Sequence, residues 1–398
     1  MIKYIFILLF IWVSTFTFSF GQPILKTMMK LPDTGQNVSY TTSFGEDNDF
    51  NINVPYFTIN GNGSVTDTVT GLMWQQTDGG EMTFESAVIF CDTLTIGGFS
   101  NWRLPSAHEA FSILNFQFAN PALNNLVFTT TAAEYWWTNT RQVNDSTKIW
   151  VTNAGGGIGN HPKSETISAG GIKRFHVRAV RENFIPVSVA NHFTDNGNGT
   201  ITDNLTELIW QKNPFTDSLT WEQSLVYADS LTLNNDTDWR IPNVKELQSI
   251  NIESLTNPSL DQNYFSVTSA NKYWTSTTLP NQTLKAWYLD TQFGITTYDA
   301  KTFKHYFICV RGPLALSTDV NNIILENSNM IAYPNPFTSF INLTNVASNQ
   351  FSQLFNKMGQ LIYSGNSIEK KDFSSLPNGI YFLKVYSKKS ISFILNKE

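Results

Sequence analysis

Two stretches of the chain share one pattern of apolar and polar positions: "GNGSVTDTVTGLMWQQ" at 61–76 and "GNGTITDNLTELIWQK" at 197–212. In each, a short strand enters Asn-Gly, the glycines accept the positive φ of a tight turn, and alternating residues leave in a second strand. That is the pattern of a β-hairpin. The apolar "GLMW" and "ELIW" then predict a buried strand. A calcium loop is the alternative reading of the closely spaced Asp and Asn oxygens. It lacks the bidentate Glu of an EF-hand, and Ile59 stands where the second stretch has Asp195.

The period then lengthens. "TFESAVIFCDTL" and "TWEQSLVYADSL" predict helices capped by Thr83 and Thr220, with Gln223 completing a capping box. Ala87, Val88, Phe90 and Cys91 fit an inward face, and Gly97-Gly98 an exit. In "NWRLPSAHEAF" and "DWRIPNVKELQ", Pro105 and Pro242 delay a second helix. Ser106 and Asn243 cap it, with Glu109 and Glu246 reaching back to the caps. Aromatic and β-branched runs follow as strands: "EYWWTNT" and "KYWTSTT", "IWV" and "AWY", "VRAVR" and "ICVRG". The order predicts an α+β fold, two helices on mostly antiparallel sheet, present twice. Aligned residues lie about 136 positions apart, giving copies at 51–183 and 190–313 after an N-terminal extension at 22–50.

Composition adds location. "MIKYIFILLFIWVSTFTFSFGQ" reads as a signal peptide, residues 1–21, cut between Gly21 and Gln22, and no later run reaches membrane length. "LPDTG" at 32–36 looks like a sortase signal but lies near the wrong terminus. A net charge of -6 over 398 residues gives no footprint for nucleic acid.

Together, "NGNGTITDNLTELIWQ", "WRIPNVKEL", "YWTSTT" and "VRAVR" resemble the family named after the C-terminal domain of a bacterial collagen-like adhesin, Lcl. The resemblance implies two tandem C-type-lectin-like domains and a carbohydrate- or matrix-binding adhesin. The calcium-lectin patterns Glu-Pro-Asn, Gln-Pro-Asp and Trp-Asn-Asp are absent. The second copy carries thirteen Asp and Glu against eight Lys and Arg, which favours an uncharged glycan or a protein partner. Members of the family often carry a helical Cys and a strand Cys. Here the first copy keeps Cys91 and has Ala179, while the second has Ala228 and keeps Cys309. Two buried thiols, or a Cys91–Cys309 bridge between copies, are the readings left open.

After a linker at 314–327, residues 328–398 carry "YPNP" (Tyr333, Pro334, Asn335, Pro336), "MGQ" with Gly359, and "NGIY" with Gly379 and Tyr381. Short strands between these turns predict a small all-β sandwich. They resemble the C-terminal sorting domain of the type IX secretion system, which implies partnership with that machinery and export through the periplasm to the outer surface.

Trp137, Asn139, Arg141, Trp150, Trp274 and Trp287, beside the polar loops "TNTRQVNDSTK" and "AGGGIGNHPKSE", are the expected ligand contacts, since aromatic faces stack on sugars. No catalytic residue, metal ligand set or cofactor is expected. None of the five histidines recurs in the other copy; His108, for example, aligns with Lys245. The related fold includes formylglycine-generating enzymes, the remote alternative. A structural spacer or protein-binding surface protein is the nearer one.

Overall fold

A computed structural model describes residues 23–167, 174–312, 331–344, 351–356, 361–386 and 390–398. The expected signal peptide with its Gly21–Gln22 cut, the expected linker and Gly359 lie outside the described residues. The chain forms two compact units that divide after Leu316. Among the described residues both are mostly β, with four α-helices in the first.

In the N-terminal unit, β1 (Ile24–Lys26) precedes the first copy. That copy runs through β2 (Phe57–Ile59), β3 (Ser64–Asp67), β4 (Leu72–Gln75), α1 (Phe84–Thr93) and α2 (Ala107–Ser112). It continues through β5 (Tyr135–Gln142), β6 (Asp145–Asn153), β7 (Ile158–Pro162), β8 (Phe175–His176) and β9 (Val180–Glu182). β10 (Val187–Val189) pairs back with β1. The second copy repeats the plan: β11 (Phe193–Asp195), β12 (Thr200–Asp203), β13 (Ile209–Gln211), α3 (Trp221–Ser230), α4 (Val244–Ser249). β14 (Lys272–Thr278), β15 (Lys285–Asp290), β16 (Ile295–Ala300) and β17 (Val310–Arg311) complete it.

The repeated stretch is the hairpin its pattern predicts: Phe57 pairs with Asp67, and Phe193 with Asp203. Asn62 Oδ1 accepts from the Ser64 N–H and hydroxyl, as Asn198 Oδ1 does from Thr200. Asp67 and Asp203 each accept two backbone N–H groups of the next turn. The oxygens that raised the calcium reading thus hold their own loop, an Asx-turn device.

The helix caps form as well. Thr83 accepts from Ser86, and Gln223 accepts from the Thr220 N–H. Glu109 accepts from the Ser106 N–H and Glu246 from the Asn243 N–H, both at 2.8 Å. The preceding arginine grips each of these carboxylates in a fork: Arg103 on Glu109 at 2.7 and 2.8 Å, Arg240 on Glu246 at 2.6 and 2.6 Å. The Trp-Arg motif therefore sends its indole to the core and its guanidinium to the cap.

The copies are not separate bodies, as a tandem arrangement would suggest. Each has its own four-stranded sheet, β2-β3-β4-β9 or β11-β12-β13-β17, but their remaining strands form one sheet of seven, β14-β15-β16-β7-β6-β5-β8. The joint is a single antiparallel pair, Thr296 with Ile158. Beneath it one apolar cluster takes Phe116, Trp150 and Ile158 from the first copy and Val244, Leu279 and Trp287 from the second. Burying that surface is what drives the fusion.

The N-terminal extension straps the junction. Gln36 Nε2 donates to the Thr278 carbonyl at 2.9 Å and its Oε1 accepts the Thr278 N–H. Asp47 accepts the Thr277 hydroxyl, and Glu46 that of Thr278. In "LPDTG", Pro32, Asp33 and Thr34 are buried, and the Thr34 hydroxyl donates to Asp47 at 2.9 Å.

The C-terminal unit holds β18 (Ala332–Tyr333), β19 (Asn342–Leu343), β20 (Phe351–Asn356), β21 (Leu361–Asn366), β22 (Gly379–Tyr386) and β23 (Ser390–Lys397). The last four form one antiparallel sheet, β21-β20-β22-β23. Asn335 of "YPNP" donates to the Ile394 carbonyl and accepts from Asn396, tying the motif to the last strand. Tyr381 is buried and donates to the Pro377 carbonyl at 2.8 Å.

Candidate functional site

A groove of about 740 Å3 opens where the two copies meet. One wall comes from the first copy: the turn at Asn120–Leu123, the run Thr129–Trp136, and Asn153–Gly157 after β6. The other is the outer part of the second copy's sheet, Trp287 on β15 and Thr296, Thr297 and Tyr298 on β16. Thr296 and Tyr298 share one face of β16: Thr296 is buried and donates to Gln248 Oε1 at 2.6 Å, while Tyr298, two positions on, is exposed.

Among the described lining residues, the polar side chains are amides and hydroxyls set beside aromatic and small aliphatic ones, with Glu134 the one charged group. Asn153 Oδ1 accepts from the Gly157 N–H at 3.1 Å, which fixes the carboxamide at the mouth. A Cβ on Gly157 would come within 2.8 Å of Asn153 Nδ2 and 3.1 Å of the Thr296 carbonyl, so the glycine is what lets the two walls approach. The side chains of Asn120, Asn125, Thr130 and Tyr298 make no hydrogen bond within the protein among the described residues.

Behind the first wall lies a buried polar network. Asp78, in the loop after β4, meets His176 Nδ1 on β8 at 2.7 Å and accepts from Trp136 Nε1 at 3.1 Å and from the Thr131 hydroxyl at 2.5 Å. Arg178 Nη2 lies 3.7 Å away. Burial alone would raise the Asp78 carboxyl, but the His176 and Thr131 hydrogen bonds and the Arg178 charge outweigh it and hold the group at about 2. Thr131 and Trp136 line the groove, so Asp78 fixes its wall. At the aligned positions the second copy has Pro214 and Tyr306, and the network belongs to the first copy alone.

The expected contacts fare differently. Trp137, Trp150 and Trp274 are at most 2% exposed, packed in the cores, and offer no face to a ligand. Trp137 Nε1 is spent on the Met82 carbonyl and Trp274 Nε1 on that of Leu219. Trp287 is also buried, but its edge reaches the groove. The strand pattern marked these residues as aromatic; the second layer covering them decided that they point inward. Asn139 and Arg141 are exposed on β5 but do not line the groove, and Arg141 lies over the Phe84 ring. "TNTRQVNDSTK" is the β5–β6 hairpin, whereas the start of "AGGGIGNHPKSE" does form part of the groove.

Cys91 and Cys309 are free and buried in different clusters, one with Trp102 and Trp137, the other with Trp239 and Trp274. The inter-copy bridge is therefore excluded: each thiol is walled in by its own copy's aromatic residues. Burial pushes Cys91 up to about 12, and Cys309 upward as well.

With this geometry in place, comparison with known proteins assigns the chain. The model of the Lcl C-terminal domain matches residues 63–181 and again 199–311, together more than half of the sequence. The chain belongs to the Lcl C-terminal domain family. The two Lcl C-terminal copies are followed by a match of residues 331–395 to the secretion system C-terminal sorting domain, the tail of type IX export. This tail implies interaction with that machinery and export to the cell surface or beyond. No helix of the described residues is long and apolar enough to cross a membrane. No curated protein matches the chain. Among solved structures, PorZ, an essential bacterial surface component of the type IX secretion system of Porphyromonas gingivalis, aligns at 12% identity and a TM-score of 0.16, covering 66% of this chain and 30% of that one. Dimeric latent PorU of the same organism aligns at 10% identity and a TM-score of 0.13, covering 63% and 26%. The chain thus spans less than a third of either protein.

Proposed function

We propose that this is a surface-displayed binding protein, a lectin-like adhesin whose two fused Lcl C-terminal copies hold a carbohydrate in the groove between them, and that it acts by binding and not by catalysis. The observation that carries the reading is the groove itself. A concave site of ligand size, lined by aromatic edges and unspent amide and hydroxyl groups, matches the surface of a sugar, which is apolar on its ring faces and hydroxylated at its rim. The buried acid–histidine pair supports binding over turnover: Asp78 is committed to Thr131, Trp136 and His176, which hold the wall in shape. The sorting tail supplies the route to a surface where such a ligand would be met.

A glycan array probed with the mature full chain, in calcium and in chelator, tests this. Ala132 is exposed on the groove wall, so Ala132→Trp fills the site without disturbing the core. Selective binding that survives chelation and disappears in that variant is the expected result. An array silent toward the folded protein, or binding indifferent to Ala132→Trp, removes the groove from consideration.

A further inference from the structure

Taking the groove as a carbohydrate site, we infer that its ligand class is an uncharged polysaccharide, and that sulfated and uronate-bearing chains are excluded by the wall chemistry. Three observations converge on this.

The first is charge. An anionic chain is held by Arg or Lys, whose guanidinium forks and ammonium groups pair with sulfate or carboxylate. The groove's described lining has neither, and its one charged group, Glu134, is an acid. The cations nearby do not line the groove and are already engaged, one of them on the ring of the groove's own Tyr298. Lys285 lies over the Tyr298 ring at 5.1 Å, Arg174 is paired with Glu81, and Arg178 is buried against Phe128 and donates to the carbonyls of Gln75 and Gln76. A sulfate entering the groove would lose its hydration, meet a carboxylate, and gain no counter-charge.

The second is the kind of hydrogen bond on offer. Carboxamides donate and accept from one planar group, as do the hydroxyls beside them. Neighbouring sugar hydroxyls also donate and accept in turn, so Asn120, Asn125 and Thr130 complement them with no net charge. An anionic oxygen only accepts and would leave the acceptor half of each amide unused.

The third is preorganisation. Asn153 is fixed by the Gly157 N–H, and the Thr131 hydroxyl is turned away from the groove to Asp78. The wall is set before a ligand arrives, which suits a ligand that cannot supply long-range attraction of its own.

The test is titration calorimetry on the mature full chain, with cello-, xylo- and manno-oligosaccharides as neutral probes and heparin and hyaluronan fragments as charged ones. The expected result is a neutral probe whose affinity is unchanged between about 50 and 500 mM salt. Ala132→Trp should weaken it at least about tenfold. Glu134→Lys, which reverses the one charge of the lining, should add salt-sensitive binding of heparin that the parent lacks. If the unmodified protein binds heparin or hyaluronan in a salt-sensitive way that Ala132→Trp abolishes, the groove reading stands and the uncharged class is overturned. If no probe of either kind responds to Ala132→Trp, both fall together.

Discussion

The Lys245 ammonium of the second copy donates to the Ser112 carbonyl of the first at 2.7 Å, at the end of α2. The same group donates to the Asp33 carbonyl at 2.8 Å, so one buried cation ties both copies and the N-terminal strap. Burial pushes this lysine down to about 8, against the pull of the Asp33, Asp67 and Asp47 charges. Its aligned partner, His108, instead faces Glu253 at 3.3 Å. Two equivalent positions thus do different work across one interface.

Removing that cation should loosen the junction. Lys245→Met keeps the stem but leaves two buried carbonyls without their donor, a loss of about 2–4 kcal/mol. Denaturant unfolding should show this as a lower midpoint with an unchanged slope. An unchanged midpoint would mean that the strap and the apolar cluster hold the copies together without Lys245.

The two Trp-Arg motifs should rank by burial. Arg240→Lys replaces a bidentate fork on Glu246 with a point charge where both side chains are 5% exposed, at a cost of about 1–3 kcal/mol. Arg103 is 31% exposed, so Arg103→Lys should cost less. Thermal melts of the two variants side by side would expose the reverse order.

Acid should act on the groove wall through Asp78. Its folded value of about 2 lies below the ordinary 3.8, so its contribution is complete above pH about 4 and is lost as pH falls toward about 2. Asp78→Asn should flatten that part of the stability–pH curve measured by urea unfolding. Curves of the same slope in variant and parent would detach the Asp78 network from acid sensitivity.

Neither thiol should react while the protein is folded. Both cysteines are buried and free, with their thiols pushed above the ordinary range, so little thiolate forms at neutral pH. A thiol reagent should find both only after denaturation, and mobility on a gel should be the same with and without reductant. A shift on reduction would restore the bridge between copies.

How much of this was readable from residues alone depends on the range of the force involved. Hairpins, caps and the repeat were legible because Asn-Gly turns, Asx-turn aspartates and capping boxes act within a few positions of chain. The sorting tail was legible for the same reason, in "YPNP" and "NGIY". Alternation also marked Trp137, Trp150, Trp274 and Trp287 as strand residues, yet could not say what would cover them.

The tertiary structure decided the rest. A single Thr296–Ile158 pair turns two copies into one sheet, and no local pattern announces a bridge between residues so far apart in sequence. That pairing buries Trp287 against Phe116 and places Tyr298 opposite Asn153, and it is there that the groove forms. The sequence by itself determined the parts and their repetition, through short-range backbone chemistry. Only the burial of apolar surface between the copies decided where a ligand could sit.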